Sequence, residues 1–266
     1  MTDENKSAKK FARRTMLQHG AGIAAVGAIS ALATTASTAP AAARTTGAKS
    51  TPGTLPSTVA GVRIPDSGLA REAVTYAQKV CSGTIFNHSL RTYLFGALIF
   101  DRRGVTYDRE LVFVAAVLHD LGLVEAFRTP TERFEVDGAD AARRFLTERH
   151  VPAERAELVW DAIALHTNVG IATRKRPEIA MISVGSGMDF AGNDLEQLPS
   201  DALEDVLTTF PREGFKKNAI DTILSLCRTK PMAELMHPFA EVGRRHIPDF
   251  SVPTVEDLVL AAPFTE

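Results

Sequence analysis

The sequence Ala115-Ala116-Val117-Leu118-His119-Asp120-Leu121-Gly122 places an imidazole and a carboxylate side by side at the end of an apolar run. Burying that pair would carry a large desolvation cost unless something compensates it. A divalent metal does so, because both groups donate to the ion and its charge offsets the buried anion. Taken alone, the pair also fits a capping Asp beside a half-buried His. Two further segments bear on the choice. His88 lies 31 positions before His119, within Phe86-Asn87-His88-Ser89-Leu90-Arg91. Asp189 lies 69 positions after Asp120, within Gly187-Met188-Asp189-Phe190. Other familiar chemistries are excluded: there is no Walker-type phosphate loop, no His-Glu-x-x-His, no Cys-x-x-Cys and no Gly-x-Ser-x-Gly elbow.

The order His, then His-Asp, then Asp, on three separate helices, resembles the signature of the HD superfamily of metal-dependent hydrolases. The resemblance implies that His88, His119, Asp120 and Asp189 hold one divalent metal. It narrows further. Asn87-His88-Ser89, Arg91-Thr92-Tyr93, Phe95-Gly96, Leu118–Gly122, Arg133–Ala139 and Ala164–Ile171 are similar to the cyanamide hydratase-like branch. Phe210–Lys217 and Cys227–Pro231 fit that branch too, so the similarity spans roughly 86–245. It implies an all-helical HD-domain bundle that adds water across the carbon–nitrogen triple bond of cyanamide, giving urea, or acts on a related nitrile. It also implies a mononuclear centre, usually described with zinc; Fe²⁺, Mn²⁺ and Ni²⁺ suit the same donors. In that chemistry the metal lowers the pKa of water toward about 7. His166 takes or returns a proton, and Asn168 or Thr167 orients the substrate.

The departures are informative. Nucleotide-directed HD phosphohydrolases commonly place an acidic residue three positions after the His-Asp pair, where this chain has Leu123. A dinuclear centre needs further His ligands, and His166 alone is placed to serve. The alternative is nonetheless a phosphohydrolase acting on a nucleotide or other phosphoester, with Arg91 and Arg174-Lys175-Arg176 as cationic partners. A third reading is a binding protein with a structural metal. His166 also reads as a core histidine bonded to a carbonyl. Glu135 and Asp137 flank a helix start, where N-capping explains Asp137. Arg91, one turn beyond His88, suits an ion pair or a substrate contact. His150, His237 and His246 read as surface histidines in turns.

Helices must position these groups. Asp66-Ser67 caps a predicted helix to about Cys81, a second runs from Phe86 or Asn87 to before Gly104, and Asp108 caps Arg109–Asp120. Further helices are expected at about 137–149, 153–166, 175–190, 201–207, 215–228 and 231–245, with Pro152, Pro177, Pro199, Pro211, Pro231 and Pro248 near their boundaries. No alternating β pattern is visible, which gives an all-α class and one domain over 65–266. Cys81 and Cys227 read as small core residues rather than a disulfide.

The chain of 266 residues is 45% hydrophobic and 23% charged, ordinary for a globular protein. From Asn5 to Pro65 it has no acidic residue. Arg13-Arg14, a weakly apolar run from about Gly20 to Ala33, and Ala39-Pro40-Ala41-Ala42-Ala43 resemble a twin-arginine export signal over 1–43. Residues 44–64 read as a flexible linker. The expected location is therefore the periplasm or the cell exterior, without a stable membrane anchor. Beyond residue 43 there are 25 basic and 30 acidic residues. That mildly acidic body offers no phosphate-tracking stripe, so the expected partner is a small molecule and not nucleic acid.

Overall fold

The computed structural model describes residues 55–264. The expected export signal and residues 44–54 of the expected linker lie outside them. The described chain forms α1 (Gly68–Val80), α2 (Gly83–Arg102), α3 (Arg109–Leu118), α4 (Phe134–Thr147), α5 (Ala153–Ala164) and α6 (Val169–Ala172). Then follow α7 (Pro177–Ala191), α8 (Ser200–Thr209), α9 (Phe215–Thr229), α10 (Phe239–His246) and α11 (Val255–Leu260). The all-helical class expected from the sequence is what forms. Among the described residues, no helix is long and apolar enough to cross a membrane.

The centre is α3. Every residue from Leu111 to Leu118 is buried, and the helix touches α1, α2, α5 and α7. A helix apolar all round can only be stable when surrounded in this way. Its start is fixed as expected, with Asp108 Oδ1 accepting from Leu111 N at 3.0 Å. Its end comes two residues earlier than expected. The chain passes into 3₁₀ turns at Leu121–Leu123 and Glu125–Phe127, and Asp120 leaves the helical line at φ −102°, ψ 17°.

The most extensive helix pair is α2 on α7. Gly185 permits it, because a Cβ there would stand 2.0 Å from the Thr92 carbonyl oxygen. The close approach sets Asp189, one turn beyond Gly185, against His88, one turn before Thr92, and Arg91, its immediate neighbour. Gly122 does the same after the His-Asp pair: a Cβ there would meet the Phe134 carbonyl oxygen at 1.9 Å. The turn following Asp120 is thereby seated on the start of α4.

Several boundaries differ from expectation. Folding does not begin near Pro65, for a two-stranded hairpin precedes it, Thr58–Val59 pairing antiparallel with Val62–Arg63. Its turn residues Ala60 and Gly61 both have positive φ, the requirement of a tight type I′ turn. Val59, Val62 and Ile64 are buried, and Tyr93 Oη donates to the Arg63 carbonyl at 2.8 Å. Strands of two residues are too short to show an alternating pattern. The helix expected over 231–245 is broken into a 3₁₀ turn at Pro231–Glu234 and α10, with Met236 at φ 61° between them. Cys81 and Cys227 are both free thiols, the second buried.

Gly185→Ala should destabilise the protein by about 1–3 kcal/mol or more, the usual cost of overpacking, since the obstacle is backbone. A denaturant midpoint equal to that of the native protein would show that the α2–α7 approach is not tight.

Candidate metal centre and its cavity

His119 and His166 are built by the same local device. Each sits just past the end of an apolar helix, and each ring turns its Nδ1 back to the carbonyl three residues earlier. The distances are 2.8 Å to Ala116 and 2.6 Å to Ile163. A carbonyl only accepts, so the ring proton sits on Nδ1 and Nε2 keeps a lone pair. Burial pushes the His119 pKa down to about 3, with His88 adding to the effect. Burial likewise lowers His166 to about 4, with His119 adding. Both rings are therefore neutral at pH 7.

The lone pairs face one carboxylate. Asp120 Oδ2 lies 3.4 Å from His119 Nε2 and 3.5 Å from His88 Nε2. His166 Nε2 lies 3.9 Å from Asp120 Oδ1. Donor atoms of His88, His119 and Asp120 all fall within 4.8 Å of one another, in a fully buried group. Burial pushes the Asp120 carboxyl up, and His88 and His166 offset only part of that. His119 Nε2 is fully buried and has no hydrogen-bond partner among the described residues. Orphaned buried acceptors of this kind are rare in folded proteins and need an explanation. A dication at this point would take the lone pairs and neutralise the carboxylate, so the residues present fit one.

Asp189, expected as a fourth ligand, does not join that converging group. Its Oδ1 accepts from Arg91 Nε at 2.8 Å and Arg212 Nη1 at 2.6 Å, and its Oδ2 accepts from Arg91 Nη2 at 2.8 Å. Its Oδ2 also meets His88 Nδ1 at 2.7 Å. Burial alone would raise its carboxyl, but hydrogen bonds from His88 and Arg91 outweigh it and hold it below the usual range. An ionised Asp189 accepts the proton of His88 Nδ1 and so leaves Nε2 free toward Asp120, the arrangement that orients metal-binding histidines. The expected ion pair of Arg91 is thus present. Its Nη1 also donates to the Phe210 and Pro211 carbonyls, both at 3.0 Å, so four of its five N–H donors are taken and the buried side chain is not on the cavity wall.

Sequence reasoning missed a second buried network. His237, read as a surface residue, is 4% exposed and lies between two carboxylates. Its Nε2 is 3.1 Å from Glu135 Oε1 and its Nδ1 is 2.9 Å from Glu234 Oε2. Glu135 also accepts from Arg133 Nη2 at 2.6 Å and from Thr167 Oγ1. Burial would raise the Glu135 carboxyl, yet the hydrogen bonds from His237 and Arg133 hold it below the usual range. Asp137 is not a cap: Arg133 occupies the N-cap of α4, and Asp137 accepts from Thr129 and from buried Lys230. The signal was unreadable locally, because the partners of Glu135 and Asp137 lie 102 and 93 positions away.

A cavity of about 220 Å³ opens beside the centre. His88, Asp120, His166 and Thr167 form one side, and Phe134, Phe190, Phe215, Ile223 and Phe239 are among its apolar walls. His237 also reaches it, but Asn168, expected to orient substrate, is not on its wall.

The His237 bridge should make stability depend on pH. Burial pulls its pKa down, but the bonds to Glu135 and Glu234 outweigh that and raise it above 6.5. A raised folded-state pKa contributes stability that is full below the unfolded value and lost as pH rises through the folded one. The native denaturant midpoint should therefore fall, relative to His237→Gln, as pH rises above about 6.5. Parallel profiles for the two proteins would show that His237 does not bridge as a cation.

Residues 85–204 match the family model of the HD domain. Two curated proteins of Saccharomyces cerevisiae (strain ATCC 204508 / S288c), cyanamide hydratase DDI2 and cyanamide hydratase DDI3, are each 25% identical to this chain over 155 residues. In both cases the similarity covers 56% of this chain and 68% of the relative. The HD match takes in His88, His119, Asp120, His166 and Asp189 and stops before α9, whose side chains supply much of the remaining cavity wall. A buried pair of neutral histidines aimed at a carboxylate, within residues that match the HD domain and are similar to cyanamide hydratases, makes this chain a metal-dependent enzyme of the hydratase or hydrolase type.

Proposed function

We propose that the enzyme adds water to a carbon–nitrogen triple bond, converting cyanamide or a related nitrile to urea or an amide. The observation that supports this most directly is the unpartnered Nε2 of His119, facing Asp120 at the edge of a cavity whose wall, among the described residues, has no Lys or Arg. A phosphoester substrate needs cations beside the reacting group. Arg91 is fully enclosed by Asp189 and two carbonyls, and Arg174-Lys175-Arg176 does not reach the wall. The phosphohydrolase alternative therefore gains no support from the site.

In this reading His88, His119 and Asp120 hold one dication, zinc as the sequence resemblance implies, and Asp189 completes the centre from behind His88. Once held, the ion supplies Lewis acidity toward water and the substrate nitrogen. The residues of the chain do the rest. His166 Nε2, neutral and free of other partners within the protein, accepts a proton as the carbon–oxygen bond forms and returns one to the nitrogen. One water is consumed and the product is the amide tautomer. Thr167 is fixed by its bond to Glu135 and shapes the wall near His166. Asn168 has no place in the step.

Export by the paired arginines at 13–14 is part of the same proposal and is supported by the sequence of the leader. A fusion of residues 1–64 to a reporter protein should be exported, and Arg13→Lys with Arg14→Lys should retain it in the cytoplasm.

The native protein should contain about one metal per chain by elemental analysis and produce urea from cyanamide. His119→Ala and Asp120→Ala should lose both. Asp189→Asn, keeping shape but not charge, should weaken metal affinity about 10- to 100-fold, as loss of an orienting partner does. A complete loss there, equal to that in His119→Ala, would place Asp189 among the ligands themselves. Full metal content in His119→Ala would sink the ligand assignment.

A further inference from the structure

Resting on the hydratase reading, we infer that the substrate is an uncharged, largely apolar nitrile about the size of a substituted benzene ring, and that cyanamide is a poor fit. Three observations combine. The first is size. An apolar cavity of about 150 Å³ accommodates benzene, and this one has about 220 Å³. Cyanamide, with three non-hydrogen atoms, would leave most of it unfilled.

The second is the chemistry of the wall. Aromatic side chains approach from separate elements: Phe134 from α4, Phe190 from α7, Phe215 from α9 and Phe239 from α10. Apart from the bridged His237, polar groups away from the centre are neutral amides and hydroxyls, among them Asn218 and Thr222 on α9. Ser183 Oγ is buried without a partner on this wall, a single point where a substituent could be hydrogen-bonded. His237 on this wall is already bridged to Glu135 and Glu234, and Asp120 is engaged at the centre, so a charged substrate would find no free counter-ion among the described residues. A pocket that is apolar but for a few placed polar groups is the usual form of a small-molecule site.

The third is where the wall comes from. The donors lie within the HD match at 85–204, whereas Phe215, Asn218, Ala219, Thr222, Ile223 and Phe239 lie after it. The reacting end is thus set within the match, whereas the body of the substrate meets both parts, Phe134 and Phe190 from within it and the α9 and α10 side chains from after it. That second part is held in place independently, by Arg91 and Asn87 at the Phe210 and Pro211 carbonyls and by Lys230 at Asp137.

The test uses the metal-loaded full chain. Acetonitrile, propionitrile, butyronitrile and benzonitrile share one reacting group, so differences report the cavity. KM should fall about four-fold for each added buried methylene. By calorimetry, benzonitrile should bind metal-loaded His166→Ala, which cannot turn it over, and the added change Ala219→Leu should weaken that binding at least ten-fold. Cyanamide turnover with a flat nitrile series and no benzonitrile binding would overturn the inference while leaving the hydratase reading intact. Benzonitrile binding that Ala219→Leu weakens, with no nitrile or cyanamide hydrated, would support the ligand class and remove the hydratase reading. Tighter binding of a nucleoside monophosphate than of benzonitrile would overturn both.

Discussion

A buried carboxylate surrounded by imidazole nitrogens sets the terms for the rest of the molecule. Asp120 is 5% exposed and has His88 and His119 within 3.5 Å, and burial keeps His119 and His166 from taking up protons to neutralise it. Left to itself, such an arrangement is unfavourable, because neutral rings do little for a buried anion. It persists because the surrounding frame over-determines it. The all-apolar α3 delivers His119 at its end, backbone carbonyls lock two rings by Nδ1, and Gly122 and Gly185 allow the elements on either side to come within reach. Strain of this kind, held by the fold and relieved by a ligand, is where function is expected to sit.

A second layer supports the first with charges that are fully paired. Asp189 ties α7 to His88, Arg91 and Arg212, while Glu135 and Asp137 at the start of α4 take His237 and Lys230. These bridges are buried, so their net contribution to stability is small, but breaking one would leave an unpaired charge inside the protein. Their effect is on geometry. One fixes the tautomer and direction of His88, and the other fastens the segment from Pro231 to Pro238 beside the cavity.

The parts of this architecture that the sequence made legible are those encoded by neighbours in the chain. Apolar periodicity with Ser67 and Asp108 as caps marked α1 and α3, and the His119-Asp120 pair at the end of an apolar run marked the centre. His166 was legible for the same reason, being the one histidine late in another apolar helix. What stayed hidden depends on distant partners. His237 stands beside Pro238 after a residue of positive φ and looks like a turn residue until Glu135, over a hundred positions away, is brought to it. Asp137 has the position of a cap but the role of a counter-ion to Lys230. Asp189 was recognised as part of the centre, yet its contact with His88 rather than with the converging group follows from the depth to which Gly185 lets α7 settle on α2.

The wall contributed by α9 is secured at both ends, at Phe210 and Pro211 by Arg91 and at Lys230 by Asp137. A segment pinned in this way cannot swing as a lid. Access then falls to a smaller element: Phe190, 49% exposed on the cavity wall and edge-on to Phe215. Exposed side chains change rotamer in picoseconds to nanoseconds, whereas lids open in microseconds to milliseconds. A side chain turning on that timescale would not slow admission and release relative to an ordinary catalytic cycle.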